Sequence, residues 1–222
     1  IGFLVRSLNE EQWIGHCLQS IINFEIKNNI EAKIVVVDNE SSDDTLKIVK
    51  MFKEKVDVIN IERNKYTPGL ALNIGMERLK NKHGVDTVCI ISAHCVIDDF
   101  SIKKIKPYLN DESVFGIIGR QKPVFRGKIV ESLYVWENFC NKPIYNLKEN
   151  LKEIDRYFFH NAFSIIKISD WSQLKFDETV SGKEDRVFAK DQINLGKRFV
   201  YCPKISCFHH WVGKCATWSG IG

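Results

Sequence analysis

Apolar residues fall in short blocks divided by polar stretches, and the spacing within them switches between strand-like and helix-like. Phe3-Leu4-Val5 reads as a strand. Asn9 then stands as a helix N-cap, with Glu10, Glu11 and Gln12 in the first turn. Trp13, Ile14, Cys17, Leu18, Ile21 and Ile22 continue as one helical stripe. Ile34-Val35-Val36-Val37 is a β-branched run, the pattern of a strand covered on both faces, and it ends at Asp38. Ser41 and Ser42 lead into Asp43, Asp44 and Thr45, which favour a helix start, and the helix is expected to run through Leu46, Ile48, Val49 and Phe52. Val56 to Ile61 predicts a third strand. Pro68-Gly69 opens a helix through Leu72, Met76 and Leu79, and Val88 to Ile91 predicts a fourth strand ending at Ser92.

This strict rotation implies an α/β fold with a mostly parallel central sheet and helices on both faces. Such sheets bind ligands at the carboxyl ends of their strands, here Arg6, Asp38 and Ser92-Ala93-His94. The second half is less regular. Val114 to Gly119 is an apolar run expected to break at Arg120-Gln121-Lys122-Pro123. Val130 to Phe139 reads as helix and Phe158 to Ile166 as strand. Glu184 to Leu195 reads as a helix closed by Gly196, and Phe199 to Phe208 as one or two strands around Pro203. No repeat or linker divides the chain, so residues 1–222 are expected to form one domain.

Composition narrows the class. The chain has 222 residues, 44% hydrophobic and 27% charged, with a formal net charge of +4. The lysines are scattered rather than interleaved with aromatics, which argues against a nucleic-acid partner. The seven cysteines are odd in number, and no two are spaced C-x-x-C. They read as buried thiols of a reducing, cytoplasmic setting, and their spacing argues against a zinc site built on cysteine. No apolar run approaches bilayer length, so membrane contact, if any, is expected to be peripheral, at a cytoplasmic face. Ile1 opens directly into a strand-like run without an initiator Met, so a trimmed or internal stretch of a longer chain is expected. Neither G-x-G-x-x-G after the first strand nor G-x-x-x-x-G-K-[ST] occurs, which counts against dehydrogenases and P-loop NTPases.

Asp38 closes its strand within Val-Val-Val-Asp-Asn-Glu-Ser-Ser-Asp-Asp-Thr. A carboxylate there either accepts a hydrogen bond from a nucleobase N–H or ties down the following loop. Five segments in order resemble the family 2 glycosyltransferases with the GT-A fold. Val5 to Trp13 is similar to their P-T-Y-N-E turn, Val35 to Thr45 to V-D-D-G-S-x-D-x-T, and Pro68 to Gly75 to their G-x-x-x-N-x-G helix. Ile90 to Cys95 takes the place of the strand ending in D-x-D, and Gly182-Lys183-Glu184-Asp185 resembles the acceptor-side E-D motif.

The resemblance implies a nucleotide-sugar-binding half over 1–100 and an acceptor-binding half over 101–222. It places Arg6, Leu8, Glu10, Asp38, Gly69, Ser92 and His94 at the donor, with Asn73 architectural. Asp185 becomes the base that takes the acceptor proton, and Glu184 orients acceptor or loop. Where the family has D-x-D, this chain has Ser92-Ala93-His94. His94, helped by His209 or His210, is then either a ligand for a divalent metal (Mn²⁺ or Mg²⁺) or a direct phosphate contact. If His209 and His210 extend a strand they face opposite ways, so only one reaches the site. Arg120 and Gln121 are expected near phosphate or acceptor. The Q-x-x-R-W motif of processive synthases is missing. The expectation is inverting, non-processive transfer to a glycan, lipid-linked or protein acceptor. A non-catalytic sugar-nucleotide or glycan-binding domain and a sugar-nucleotide nucleotidyltransferase are the alternatives.

Overall fold

The computed structural model describes residues 1–130, 139–148 and 156–211. The helix expected over Val130 to Phe139 therefore falls mainly outside the described residues, as does Cys215. The first half follows the predicted rotation: β1 (Gly2–Ser7), α1 (Ile14–Asn28), β2 (Lys33–Asp38), α2 (Thr45–Lys50), β3 (Val56–Asn60), α3 (Pro68–His83) and β4 (Thr87–Ser92). It continues with β5 (Cys95–Asp99), α4 (Ile102–Leu109), β6 (Val114–Phe125), β7 (Lys128–Ile129), β8 (Ile144–Tyr145), β9 (Phe163–Lys167), α5 (Ile168–Gln173), α6 (Glu184–Asn194) and β10 (Arg198–His210).

These strands make one sheet in the order β3-β2-β1-β4-β9-β6-β10-β5, with β7 on β6 and β8 on β10. The sheet is mostly parallel; along this path β9 and β5 run against the others. Side-chain alternation divides the core into two layers. Phe3, Val5, Ile34 and Val36 pack on one face with Cys17, Leu18 and Ile21 of α1. Leu4, Val35 and Val37 pack on the other with Leu72, Met76 and Leu79 of α3. Gly75 permits that second contact, since a Cβ there would stand 2.2 Å from Leu4 Cδ1.

Several local expectations are corrected. Asn9 is not an N-cap; it adopts φ 54, and helix α1 starts only at Ile14. Its side chain instead accepts from the backbone N–H of Ser42, because a left-handed turn at the strand end points it across the groove rather than along a helix. Helix α2 stops at Lys50, short of Phe52. The run after Val114 does not break at Pro123; β6 continues to Phe125. Beyond Ile118 it has left β9, so on that side no ladder N–H is required of Pro123. Phe199 to Phe208 lies in one long strand whose register slips between Cys202 and Ser206, around Pro203. Strand β9 starts at Phe163, five residues later than the pattern suggests, because residues 158–162 form the loop entering it.

Asn73 is architectural, as expected. Its amide donates to Phe176 O (2.9 Å) and Glu178 Oε1 (2.8 Å), and its Oδ1 accepts from Trp171 Nε1 and Phe176 N, both at 3.1 Å. It thereby pins the segment before α6 against α3. Asn73→Ala strands buried partners on both sides and should destabilise the domain by about 2–4 kcal/mol. Chemical denaturation checks this; a loss below about 0.5 kcal/mol would contradict the account.

Candidate active site

The carboxyl ends of β1, β2 and β4 deliver Ser7, Asp38 and Ser92 to one edge of the sheet. Because β9 runs the other way, its start brings His160, Asn161 and Ala162 to that same edge, where Ser92 N–H donates to Ala162 O (3.2 Å). The end of β10 brings His209. Two cavities open here. One of about 450 Å³ is lined by Arg6, Ser92, Asn161, Glu184, Asp185 and His209, among others. A smaller one of about 230 Å³ is lined by Arg6, Ser7, Leu8, Glu10, Asn39, Tyr66, Ser92 and His94. Arg6, Tyr66 and Ser92 belong to both walls, so the two form one groove.

Its floor holds a buried imidazole pair. His94 Nε2 and His209 Nε2 stand 3.1 Å apart. His94 Nδ1–H donates to Glu10 Oε1 (2.8 Å), and His209 Nδ1–H donates to Gln121 Oε1 (3.0 Å). Gln121 is oriented by its amide, which donates to His160 Nδ1 (3.3 Å). With both Nδ1 atoms carrying hydrogen, the two Nε2 lone pairs face each other and call for a proton or a cation between them. Burial, then the neighbouring His94, His160 and His210, hold the His209 pKa well below its ordinary value, so its Nε2 is unprotonated at neutral pH. Each ring thus has the outer hydrogen bond typical of a metal-bound histidine. The separation also suits two adjacent ligands about 2.1 Å from one ion. The residues fit a divalent cation. Cys95 lies in the same cluster, with its ligand atom within 4.8 Å of the two rings. Burial and the adjoining Cys207 raise its thiol pKa and keep it protonated, a poor ligand.

His210 is not brought to this pair; it stacks on Trp13 with ring centroids 3.6 Å apart, as strand alternation requires. Of the two histidines, His209 is the one in the groove. Burial, then His94 and His16, push the His210 pKa down to about 4.

Lys183 at φ 63 turns the chain into α6, so Glu184 and Asp185 open the helix where it lines the larger cavity. Asp185 Oδ2 accepts from Asn161 N–H (3.1 Å) and Oδ1 from Arg186 N–H (2.8 Å). Glu184 pairs with Arg6 at 3.0 Å. Burial works against the charge on Arg6; Glu184, with Tyr66 and Asp185, outweighs it and raises the pKa, so Arg6 stays charged.

Two donor-site candidates sit differently from expectation. Asp38 is fully buried, accepting from Ser7 Oγ (2.7 Å), Ser41 N–H (2.8 Å) and Ser41 Oγ (2.6 Å). Loop-tying is the reading this geometry displays, and Asn39 rather than Asp38 reaches the smaller cavity. Gly69 is fixed by packing: a Cβ there would stand 2.1 Å from Asp177 O, while Thr67 and Pro68 line the larger cavity. Arg120 turns to Asn141 (2.8 Å), whereas Gln121 reaches the site through His209. Gln121 is expected from its position alone, and Asn39 sits inside the Val35-to-Thr45 segment, where Asp38 is the expected contact; His160 and Asn161 carry no motif signal, and only the sheet brings them here.

Residues 3–169 match glycosyl transferase family 2. The chain belongs to that family. It is similar to the O-antigen chain rhamnosyltransferase WbaN of Salmonella anatum, 23% identical over 190 residues that make up 84% of this chain and 59% of that protein. It superposes on S. aureus TarS 1-349 in complex with UDP at TM-score 0.69 and 17% identity, covering 96% of this chain and 60% of that one. For the mannosyltransferase PcManGT from Pyrobaculum calidifontis in complex with GDP-Man and Mn²⁺, the TM-score is 0.61 at 19% identity, covering 93% and 55%. The family 2 chain therefore has the GT-A fold and spans little more than half the length of these relatives.

Asp38→Ala removes a buried carboxylate that accepts from both serines. It should destabilise the domain by about 2–4 kcal/mol. Nucleotide affinity measured by calorimetry on the folded fraction should change less than threefold, or about 0.6 kcal/mol. A large affinity loss at unchanged stability would return Asp38 to the donor site.

Proposed function

We propose that this family 2 chain moves one sugar at a time from a nucleoside-diphosphate donor to an acceptor hydroxyl, with inversion. The observation that carries the reading is the single groove in which His94 lines the smaller cavity while its partner His209 shares the larger one with Asp185. The nucleoside would lie toward Leu8 and Asn39, and the diphosphate over Ser92, Arg6 and the imidazole pair. In this reading Asp185 takes the acceptor proton while the acceptor oxygen bonds the anomeric carbon. The bond to the diphosphate oxygen breaks, and its electron pair leaves with the nucleoside diphosphate. Attack from the side opposite the leaving group inverts the centre. The Asn161 and Arg186 backbone N–H groups hold the carboxylate in place.

His94 and His209 would hold a divalent cation, which when bound would neutralise charge on the diphosphate; PcManGT was solved with Mn²⁺. Glu10 and Gln121 orient the two rings for it. A glycan, a lipid-linked saccharide or a protein would be the acceptor. Among the described residues no helix is long and apolar enough to cross a membrane; peripheral work at a cytoplasmic membrane face fits a lipid-linked acceptor. Ser92 in place of an acid favours the rival reading as a binding domain without turnover, which transfer assays address directly.

Thermal shifts with UDP, GDP, TDP and CMP, with and without cation, should single out one nucleotide; a hundredfold excess over Kd stabilises by about 2.7 kcal/mol. Mn²⁺ should strengthen that binding more than Mg²⁺, since imidazole suits it better. His209→Ala should abolish the difference, and an equal response to both ions in the unmutated protein would remove the imidazole pair as ligands.

Asp185→Asn keeps shape and removes the proton acceptor, so turnover should fall about 10²–10⁴-fold with donor affinity nearly unchanged. Steady-state transfer beside calorimetric donor binding decides this. Near-normal turnover would move the base elsewhere, first to Glu184.

A further inference from the structure

Buried polar side-chain atoms almost always find a partner, and those that do not call for a reason. Among the described residues the unpartnered ones are Glu10 Oε2, Trp13 Nε1, Asn39 Oδ1, Asn161 Nδ2 and Trp211 Nε1. Glu10 and Asn39 line the smaller cavity of the groove, and Asn161 the larger. The other side-chain polar atom of Asn161 and its N–H are both committed. Its backbone N–H holds Asp185 Oδ2 at 3.1 Å, and its Oδ1 accepts from Ser164 Oγ at 2.9 Å. With Oδ1 bound to the buried Ser164 hydroxyl, Nδ2 is the end left over. The left-over end is the NH₂ group, a pure donor on a residue only 2% exposed. Burying such a donor without a partner is unfavourable, and a ligand oxygen in the cavity would relieve it.

Position says which oxygen. Asn161 shares the larger cavity with His209 and grips Asp185 through its own backbone. If the diphosphate lies over the imidazole pair and Asp185 meets the acceptor, the carbon under attack stands between them. The sugar that carries this carbon then lies along the wall to which Asn161 belongs. Resting on the transfer reading above, we infer that the Asn161 side-chain amide donates a hydrogen bond to an oxygen of the sugar being transferred. Asn161 is thus a sugar-recognition residue beside the base. Its contribution falls on the sugar and not on the nucleotide.

Calorimetry on the intact protein would compare UDP-glucose, UDP-N-acetylglucosamine, GDP-mannose and dTDP-rhamnose with free UDP, GDP and dTDP. The quantity read is the gain in affinity of the best-bound sugar nucleotide over its own diphosphate. Asn161→Asp keeps the acceptor for Ser164 and turns the donor into an acceptor; Asn161→Ala removes both. In each variant the free diphosphate should bind within about twofold of the original, and the sugar's gain should fall about three- to tenfold, more steeply in Asp than in Ala. Thermal melting confirms that both variants are folded. The inference is overturned if the gain survives in folded Asn161→Asp. It is also overturned if diphosphate and sugar nucleotide weaken equally, or if only the acceptor KM rises. An unmutated protein that binds none of these diphosphates would sink the transfer reading itself, and the inference with it.

Discussion

The direction of one strand governs the site. β9 lies between β4 and β6 and runs antiparallel to both, and it is the seam by which the first four parallel strands join the strands of the second half. A parallel strand there would present its carboxyl end to the groove and its start to the far side. The antiparallel one presents residues 160–162 instead. The Ser92–Ala162 backbone bond, the Asn161–Asp185 bond and the Gln121–His160–His209 contacts all follow from that choice. Side chains of the first-half strands and of the second half meet in one groove because the seam joins the two.

Charge is placed in this groove with its compensation attached. Arg6 is desolvated, yet Glu184 at 3.0 Å keeps it ionised, and removing either partner alone would leave a buried charge unpaired. The imidazole pair follows the same rule. Glu10 and Gln121 take the outer hydrogens, and the two Nε2 atoms face each other at 3.1 Å, a spacing that suits a shared proton or cation. Each arrangement couples residues far apart in sequence, 84 positions for Glu10 and His94 and 115 for the two histidines.

The backbone conformation at the groove carries its own cost. Asn9, Glu40 and Lys183 all have positive φ, at 54, 50 and 63°. Glu40 stands where the family motif has glycine, and a left-handed non-glycine residue costs roughly 1–2 kcal/mol. The turn is retained because its neighbours over-determine it: Asp38 grips Ser41, and Arg63 Nη2 donates to Glu40 O (3.0 Å).

The first half was legible in the sequence because its signals are local. β-branched runs and a 3.6-residue apolar period specify β1 to β4 and their helices, and a parallel sheet follows from their rotation. That logic points to strand carboxyl ends, so Arg6, Ser92 and His94 were within reach, and alternation along β10 was enough to separate His209 from His210. The acid pair at 184 and 185 was likewise visible as a motif before a helix. Pairing between distant strands is not written locally. Whether Pro123 ends a strand depends on whether β9 still flanks β6 there, and whether Asp38 meets a ligand or a loop depends on where Ser7 and Ser41 come to lie. His160 and Asn161 have no periodicity or motif to mark them, Gln121 is suggested by position alone, and Asn39 sits in a motif that points to Asp38 instead. Only the tertiary structure, through the sense of β9 and the register of β10, decided that they stand together.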